Sequence, residues 1–344
     1  MATIKEISKK AGVSIATVSK VLNGKGSITE QTRQLVLSVA AEMNYRPNMN
    51  AKHLKSGSTQ TIGIITEDLT VFNSPEIVDG IAATCEKNGY HYILGNLRFF
   101  KRYGNMQKDE VESANLIHEE INNMLSKQVD GIIYIGCHSH IVMPLSSHKD
   151  IKLVCAYCRG SDDSIPSVGY NEEKASYAAT NLLLDKGCQK IGMITGPSDS
   201  SHTNRRTKGH QLALYEAGIP YNPAFTCTGN WERESGYNLA KQLIDEGVDA
   251  IFSQNDFMAL GVTDYCNERG IEVGKNLLLI GFDNQDFSSI CRPNLTTISL
   301  PLFEIGEASA NLMLSAIAGM DITGQRIELD CTIIERESTS LCSV

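Results

Sequence analysis

The first 45 residues repeat one pattern three times: a Ser or Thr, apolar residues at helical spacing, then a break. Thr3 followed three residues on by Glu6 is a capping box, with Ile4, Ile7 and Ala11 behind it at helical spacing. Gly12 ends that helix, and Ser14 caps a second carrying Ile15, Val18, Val21 and Leu22. Asn23-Gly24-Lys25-Gly26 reads as a loop. Thr29 caps a third helix, Glu30 to about Met43, with Leu35, Val36, Val39, Ala40 and Met43 expected inward. Two helices separated by so short a Gly-containing turn predict a helix-turn-helix, with the third helix closing a small core beneath it.

A different rhythm follows. In Tyr45-Arg46-Pro47-Asn48 the proline ends one element and Asn48 can cap another; Asn50 to Lys55 is long enough for little more than one helical turn, marginal on its own. Ser56-Gly57-Ser58-Thr59 is a flexible linker. From Thr61 short apolar runs alternate with longer amphipathic stretches. The expected strands are Ile62–Ile65, Tyr92–Leu94, Gly131–Ile135, Lys152–Cys155, Lys190–Ile194, Ala250–Ser253 and Leu277–Ile280. Helices are expected between them at Pro75–Lys87, Glu110–Ser126, Glu172–Asp185, Thr207–Glu216, Glu234–Asp245 and Phe257–Glu268. Such alternation predicts parallel sheets covered on both faces. There are too many strands for one modest sheet, and the polar stretch Gly160–Pro166 falls midway, so two similar α/β lobes are expected. The reading is an all-α head over 1–47, a short helix and linker over 48–60, and a two-lobed body over 61–344. The lobe boundary is placed near 160–166 and recrossings near 290 and 320. Ligands of such sheets sit beyond the carboxyl ends of the strands, here in a cleft between the lobes.

Composition changes the picture only in its charge. The 344 residues are 42% hydrophobic and 21% charged, an ordinary globular balance. No apolar run reaches the length of a membrane span, and Met1 to Lys10 carries no apolar signal core. Ten cysteines without small-scaffold spacing fit a reducing compartment, so a soluble, cytoplasmic protein is expected. Residues 1–60 hold nine Lys/Arg against three Asp/Glu, net +6, whereas the rest holds 22 against 37, net −15. A cationic head on an anionic body suits a head that meets phosphate.

Several segments together resemble the lactose-repressor (LacI/GalR) family of bacterial transcription regulators along essentially the whole chain. In the head they are Thr3-Ile4-Lys5-Glu6-Ile7, Ala11-Gly12-Val13-Ser14, Thr17 to Asn23, Tyr45-Arg46-Pro47-Asn48 and Ala51 with Leu54. The body adds Val129 to Ile133, Gln254-Asn255-Asp256 with Met258 to Gly261, Gly281 to Asn284 and Leu295 to Ile298. The resemblance implies a helix-turn-helix head, a hinge helix over 48–60 and a periplasmic-binding-protein-like body. It implies a homodimeric repressor on a palindromic double-stranded DNA operator, controlled by a small-molecule effector, expected to be a carbohydrate. Ile15, Ala16 and Lys20 then hold the positions that touch base edges, with Ser14, Thr17 and Ser19 near phosphates and Thr3, Asn23 and Asn48 in the same interface. Lys20 stands where the family more often has Arg, which grips guanine with two hydrogen bonds where Lys offers a point charge. Ile15 and Ala16 suit a thymine methyl; the alternative packs Ile15 on the third helix. Ala51 and Leu54 match the hinge helix that enters the minor groove, where Leu54 would wedge between base pairs, flanked by Lys52, His53 and Lys55.

For the effector, the resemblance implies Arg206, Trp231, Asn255 and Asp283. This set suits a polyhydroxylated ligand: a carboxylate accepts from hydroxyls, Arg and Asn donate, and an indole covers a sugar ring's apolar face. Arg206 and Asp283 should attract one another when no ligand separates them. Asp256 is expected to cap the helix from Phe257. The chain departs from the family at Asp68 to Pro75, where many relatives carry paired aromatics, and over Leu97 to Asp109, a longer connection than usual. The latter is expected to pack on the lobe surface, with a lid as the alternative.

Other chemical-looking signals are discounted. Cys155 and Cys158 have redox or zinc spacing, but on a strand residues three apart face opposite sides, and no second pair supports a metal. His138 and His140 alone make no metal site. Phosphate-binding glycine loops and nucleophile elbows are missing from the sequence. The expectation is no enzyme, no cofactor and no metal; the rivals are a sugar-binding transport protein on the same two lobes and, more distantly, a sugar enzyme.

Overall fold

Helix caps organise the N-terminal residues of the computed structural model, which describes residues 2–24, 26–45, 58–104, 110–147 and 151–340. The chain divides into two units, Met1–Thr59 and Gln60–Val344. In the first, α1 (Ile4–Ala11) opens on the full capping box: Thr3 Oγ1 accepts from Glu6 N, and Glu6 Oε2 accepts from Thr3 N at 2.8 Å. Gly12, at φ +65°, takes the left-handed turn that ends α1. Ser14 caps α2 (Ile15–Leu22) through Thr17 N at 3.0 Å, and Thr29 caps α3 (Glu30–Glu42) through Thr32 N. Ile7, Val18 and Val36 are wholly buried where the three helices meet, with Ala11, Val21, Val39 and Ala40 around them. Leu35 corrects the expectation, lying 46% exposed. The inward stripe of α3 runs Val36–Val39–Ala40–Met43, and Leu35, one residue before it, is rotated off that face. The expected hinge helix, with Asn48, Ala51, Lys52, His53, Leu54 and Lys55, lies outside the described residues.

The second unit begins with β1 (Thr61–Thr66), α4 (Asn73–Lys87), β2 (His91–Asn96), α5 (Phe99–Tyr103), α6 (Glu110–Ser126), β3 (Gly131–Ile135), β4 (Ile141–Val142), β5 (Leu153–Ala156), β6 (Arg159–Gly160) and β7 (Ser167–Tyr170). It continues with α7 (Glu172–Asp185), β8 (Ile191–Thr195), α8 (Ser201–Glu216), β9 (Thr226–Thr228), α9 (Arg233–Asp245), β10 (Ala250–Ser253), α10 (Asp256–Arg269), β11 (Leu278–Ile280) and β12 (Thr297–Ser299). Last come α11 (Leu302–Ile317), β13 (Arg326–Leu329) and β14 (Thr332–Ile334). The first lobe is built on a parallel sheet in the order β13-β7-β5-β3-β1-β2, and the second on a parallel sheet β11-β10-β8-β9. The antiparallel pair β12–β14 lies beside β11, bridged from Ile280 to Thr296. Helices cover both sheet faces, so β3, β5, β8 and β10 are buried along their whole length.

Three corrections concern connectivity. The lobe boundary was expected near 160–166, but Ser167–Tyr170 pairs with β5 and β13 in the first sheet, so the chain crosses at Tyr170-Asn171-Glu172. It returns between Ser299 and Leu302 and crosses a third time between Leu329 and Thr332, later than the expected 290 and 320. Helix α8 begins at Ser201, six residues before the expected start, because its polar first turns, Ser201 to Arg206, conceal the period. Cys155 and Cys158 do not face opposite ways: β5 ends at Ala156, Tyr157 turns the chain at φ +63°, and both thiols enter the same apolar cluster. The segment after β2 packs through Phe99, with Asp68 Oδ2 accepting from Phe100 N at 2.9 Å at the start of α5; residues 105–109 lie outside the described part.

Candidate functional site

The head presents an outward face on α2. Val18 and Val21 point into the core, which leaves Ser14, Ala16 and Lys20 exposed, Ile15 51% exposed, and Thr17 and Ser19 half-buried. Ile15 is not among the core residues of the head. Asn23 closes α2, its Nδ2 donating to Ser19 O at 2.7 Å. Thr3, on the first cap, spends its N–H on Glu6.

In the body the carboxyl ends of β8, β10 and β11 deliver Gly196, Asn255 and Asp283 to one place, with α8 bringing Arg206 against them. The helix lies close because Gly209 lets it: a Cβ there would stand 2.1 Å from the Glu173 carbonyl of α7. Arg206 is buried. Its Nη1 donates to Gln254 O, its Nη2 donates to Tyr170 OH at 2.9 Å, and that Nη2 stands 3.7 Å from Asp283 Oδ1. The guanidinium carbon lies 3.7 Å from the centre of the Phe282 ring and 5.8 Å from that of Trp231. Trp231, at φ +72°, folds its indole flat over Gly196, where any Cβ would collide at 1.9 Å. Three of the four expected effector residues thus meet.

Asn255 is the fourth, and both ends of its amide are engaged. Oδ1 accepts from Met258 N at 2.9 Å and Nδ2 donates to Trp231 O at 2.8 Å. Asn255, not Asp256, therefore caps α10, a correction to the expected cap. Asp256 instead is buried, accepting from Thr297 Oγ1 at 2.6 Å and Gln285 N at 2.7 Å. Burial and the neighbouring Asp283 carboxyl push its pKa well above the carboxylate range. Asp283 itself is raised to about 7: burial outweighs the pull of Arg206, and Glu172 adds repulsion. The Arg206 guanidinium ends above its ordinary value, since burial is overcome by Tyr170, Asp283 and Glu172.

The sequence reading missed the adjoining half of this site. His202, one turn before Arg206 on α8, meets Glu172 Oε1 through Nδ1, while its Nε2 accepts the Ser139 N–H at 3.0 Å. The ring thus bridges the Glu172 carboxylate and the Ser139 backbone. Ser139 belongs to the first lobe and His202 to the second, so the bond ties the two; the Ser201 hydroxyl donates to Ser139 O alongside. Burial raises Glu172, but His202 and the arginines more than compensate and bring it down to about 2. Tyr157 and Tyr170 meet as a tilted pair at 5.5 Å, and Tyr170 lies 6.5 Å from Phe282, completing an aromatic wall. Had α8 been extended to Ser201, the helical spacing from His202 to Arg206 would have pointed to that histidine. Behind this wall Glu67 accepts from Tyr134 OH at 2.9 Å and Cys137 N at 2.8 Å, and pairs with His140 at 3.0 Å, which takes His140 out of consideration as a ligand-facing group. Among the described residues no group of three or more His, Cys, Asp or Glu is placed to hold a metal ion, and no helix is long and apolar enough to cross a membrane.

Comparison with known proteins bears on both parts. Residues 3–48 match the profile of bacterial regulatory proteins of the lacI family, and residues 180–339 match a periplasmic binding protein-like domain. Catabolite control protein A of Priestia megaterium is 32% identical over 343 residues, covering 98% of this chain and 99% of that protein. The HTH-type transcriptional repressor CytR of Escherichia coli (strain K12) is 30% identical over 342 residues, covering 98% and 96%. A crystal structure of the lac repressor dimer bound to operator and the anti-inducer ONPF is alike in fold, with a TM-score of 0.80 at 24% identity over 98% of this chain and 99% of that one.

Proposed function

The chain belongs to the lacI family of bacterial regulatory proteins, DNA-binding transcription regulators and not enzymes, and from that premise we propose a repressor that binds a two-fold operator as a homodimer and releases or grips it in response to a small polyhydroxylated effector. The observation that carries the effector half is the buried Arg206–Asp283 pair under the Trp231 indole. A charge pair kept from water is costly unless something repays it, and a ligand with adjacent hydroxyls can accept from Arg206 and donate to Asp283 at once. Asn255 then serves by holding Trp231 and the start of α10 in place. For the operator half, Ile15, Ala16 and Lys20 face base edges, Ser14, Thr17, Ser19, Thr3, Asn23 and Asn48 face the backbone, and Ala51, Lys52, His53, Leu54 and Lys55 form the hinge. The protein acts in the cytoplasm, with a head over 1–47, a hinge over 48–60 and a sensing body over 61–344. Effector and operator are then linked by a coupling free energy that acts equally in both directions. The transport-protein reading is set aside by the lacI-family match over residues 3–48.

The test is selection of genomic fragments by the purified full chain at fixed salt, read by sequencing, with and without cell metabolites. The expected result is one enriched palindrome whose occupancy shifts with metabolites. Uniform recovery of fragments in both conditions would overturn the operator reading.

A further inference from the structure

One buried carboxylate oxygen beside the Arg206–Asp283 pair has no donor. Resting on the effector reading above, we infer that Glu172 takes an amino group of the effector, so that the site selects an aminated polyol over its neutral or phosphorylated counterparts. Glu172 is 1% exposed, and His202 occupies Oε1. Its Oε2 is buried and has no hydrogen-bond partner, and neither do Arg206 Nε and Thr203 Oγ1 on the adjoining face of α8. Glu172 also lines an open cleft with Ser139, Tyr170, Arg159, Arg205, Arg326 and Glu328. A molecule entering there meets a carboxylate oxygen that needs a donor.

The charges specify which donor. His202 donates to Oε1 and leaves Oε2 open. Arg205 and Arg159 both bind Glu328, at 2.8 and 3.0 Å. Arg206 spends Nη1 on Gln254 O and Nη2 on Tyr170 OH, and no hydrogen bond from a described residue reaches Glu172 Oε2. An ammonium brings a positive charge and three donors to Oε2, while a hydroxyl beside it can accept from Arg206 Nε. A phosphate or carboxylate at the same place would face the Glu172 carboxylate, and like charges repel strongly where water is excluded.

Trp231 is the only tryptophan of the chain, so its fluorescence reports the site directly. The full chain is titrated with matched sets: glucosamine, glucose and glucose 6-phosphate, then the galactose and mannose equivalents. In at least one set the amino member is expected to bind about tenfold or more tightly than the neutral one, as a charged hydrogen bond implies, and the phosphate more weakly than either. Glu172→Gln, which puts a donor where the acceptor was, is expected to erase the preference, while Glu172→Asp, which keeps the charge, retains part of it; thermal melts verify that both variants fold. A preference that survives Glu172→Gln, equal binding of amino and neutral members, a phosphate that binds best, or no response to any set overturns the inference. Neutral sugars that still bind and are lost in Asp283→Ala would leave the effector site standing while Glu172's role falls. Titrations indifferent to Asp283→Ala would remove the site itself.

Discussion

Replacing Asp283 with Asn should make the ligand-free protein more stable at neutral pH while abolishing its response to effector. The carboxyl is raised from 3.8 to about 7, chiefly by burial and against the pull of Arg206. Its folded form therefore holds a proton over a pH range in which the unfolded form has released it. Stability consequently falls as pH rises through that range, and the loss is complete above about pH 7. Each tenfold change in proton affinity is about 1.4 kcal/mol, so the full cost is on the order of 4 kcal/mol, relieved by an uncharged side chain of the same shape. Part of that gain is lost with the Arg206 contact at 3.7 Å, leaving an expected benefit of about 2–4 kcal/mol at pH 8. The assay is urea unfolding followed by Trp231 fluorescence at one protein concentration, at pH 5 and pH 8, for wild type and Asp283→Asn. Other titrating groups are common to both chains and cancel in the difference. A variant less stable than wild type at pH 8, or a gap that does not widen from pH 5 to pH 8, would refute the reasoning. The site would then store no electrostatic cost for a ligand to relieve.

Three further outcomes are expected. Lys20→Ala should lower operator affinity and relax the preference at one base pair; an unchanged preference with the slope of log affinity against log salt reduced by about one would make Lys20 a phosphate contact and end the base-edge assignment. Leu54→Ala should weaken specific binding far more than nonspecific binding in competition gel shifts, and equal losses would end the wedge role. Gly209→Ala should cost about 1–3 kcal/mol in unfolding experiments, because α8 must move off the Glu173 carbonyl that its Cβ would strike at 2.1 Å.

What the sequence revealed followed from period and caps. Thr3, Ser14 and Thr29 each cap a helix by the bond their side chains predict, and the strands at Gly131–Ile135 and Ala250–Ser253 were legible because buried parallel strands read as unbroken apolar runs. The last 45 residues were less readable. Helix α11 packs on α4 and on the first sheet together, and its polar stripe, Glu304–Glu307–Asn311–Ser315, is narrow beside the apolar residues around it. Strands β7 and β13 are short, and their pairing joins residues far apart in the chain. At the site, Arg206, Trp231, Asn255 and Asp283 could be assigned only through resemblance, since each is an ordinary residue of a loop or helix when read alone. Glu172 and His202 escaped because their meeting depends on α7 and α8 lying side by side, a tertiary fact with no local signal.

The three crossings between lobes have a consequence for how the protein is made. The first lobe needs α11 and β13, which the ribosome delivers only after residue 300, whereas every described helix of the head lies before residue 43. During synthesis at about 5–20 residues per second, the head can be complete many seconds before the sensing body closes. A nascent or prematurely terminated chain would carry a finished reading head with no means of listening. Messages cut short late in the gene are therefore expected to yield fragments that compete for DNA without answering to any signal, unless proteolysis of the unfinished lobe removes them first.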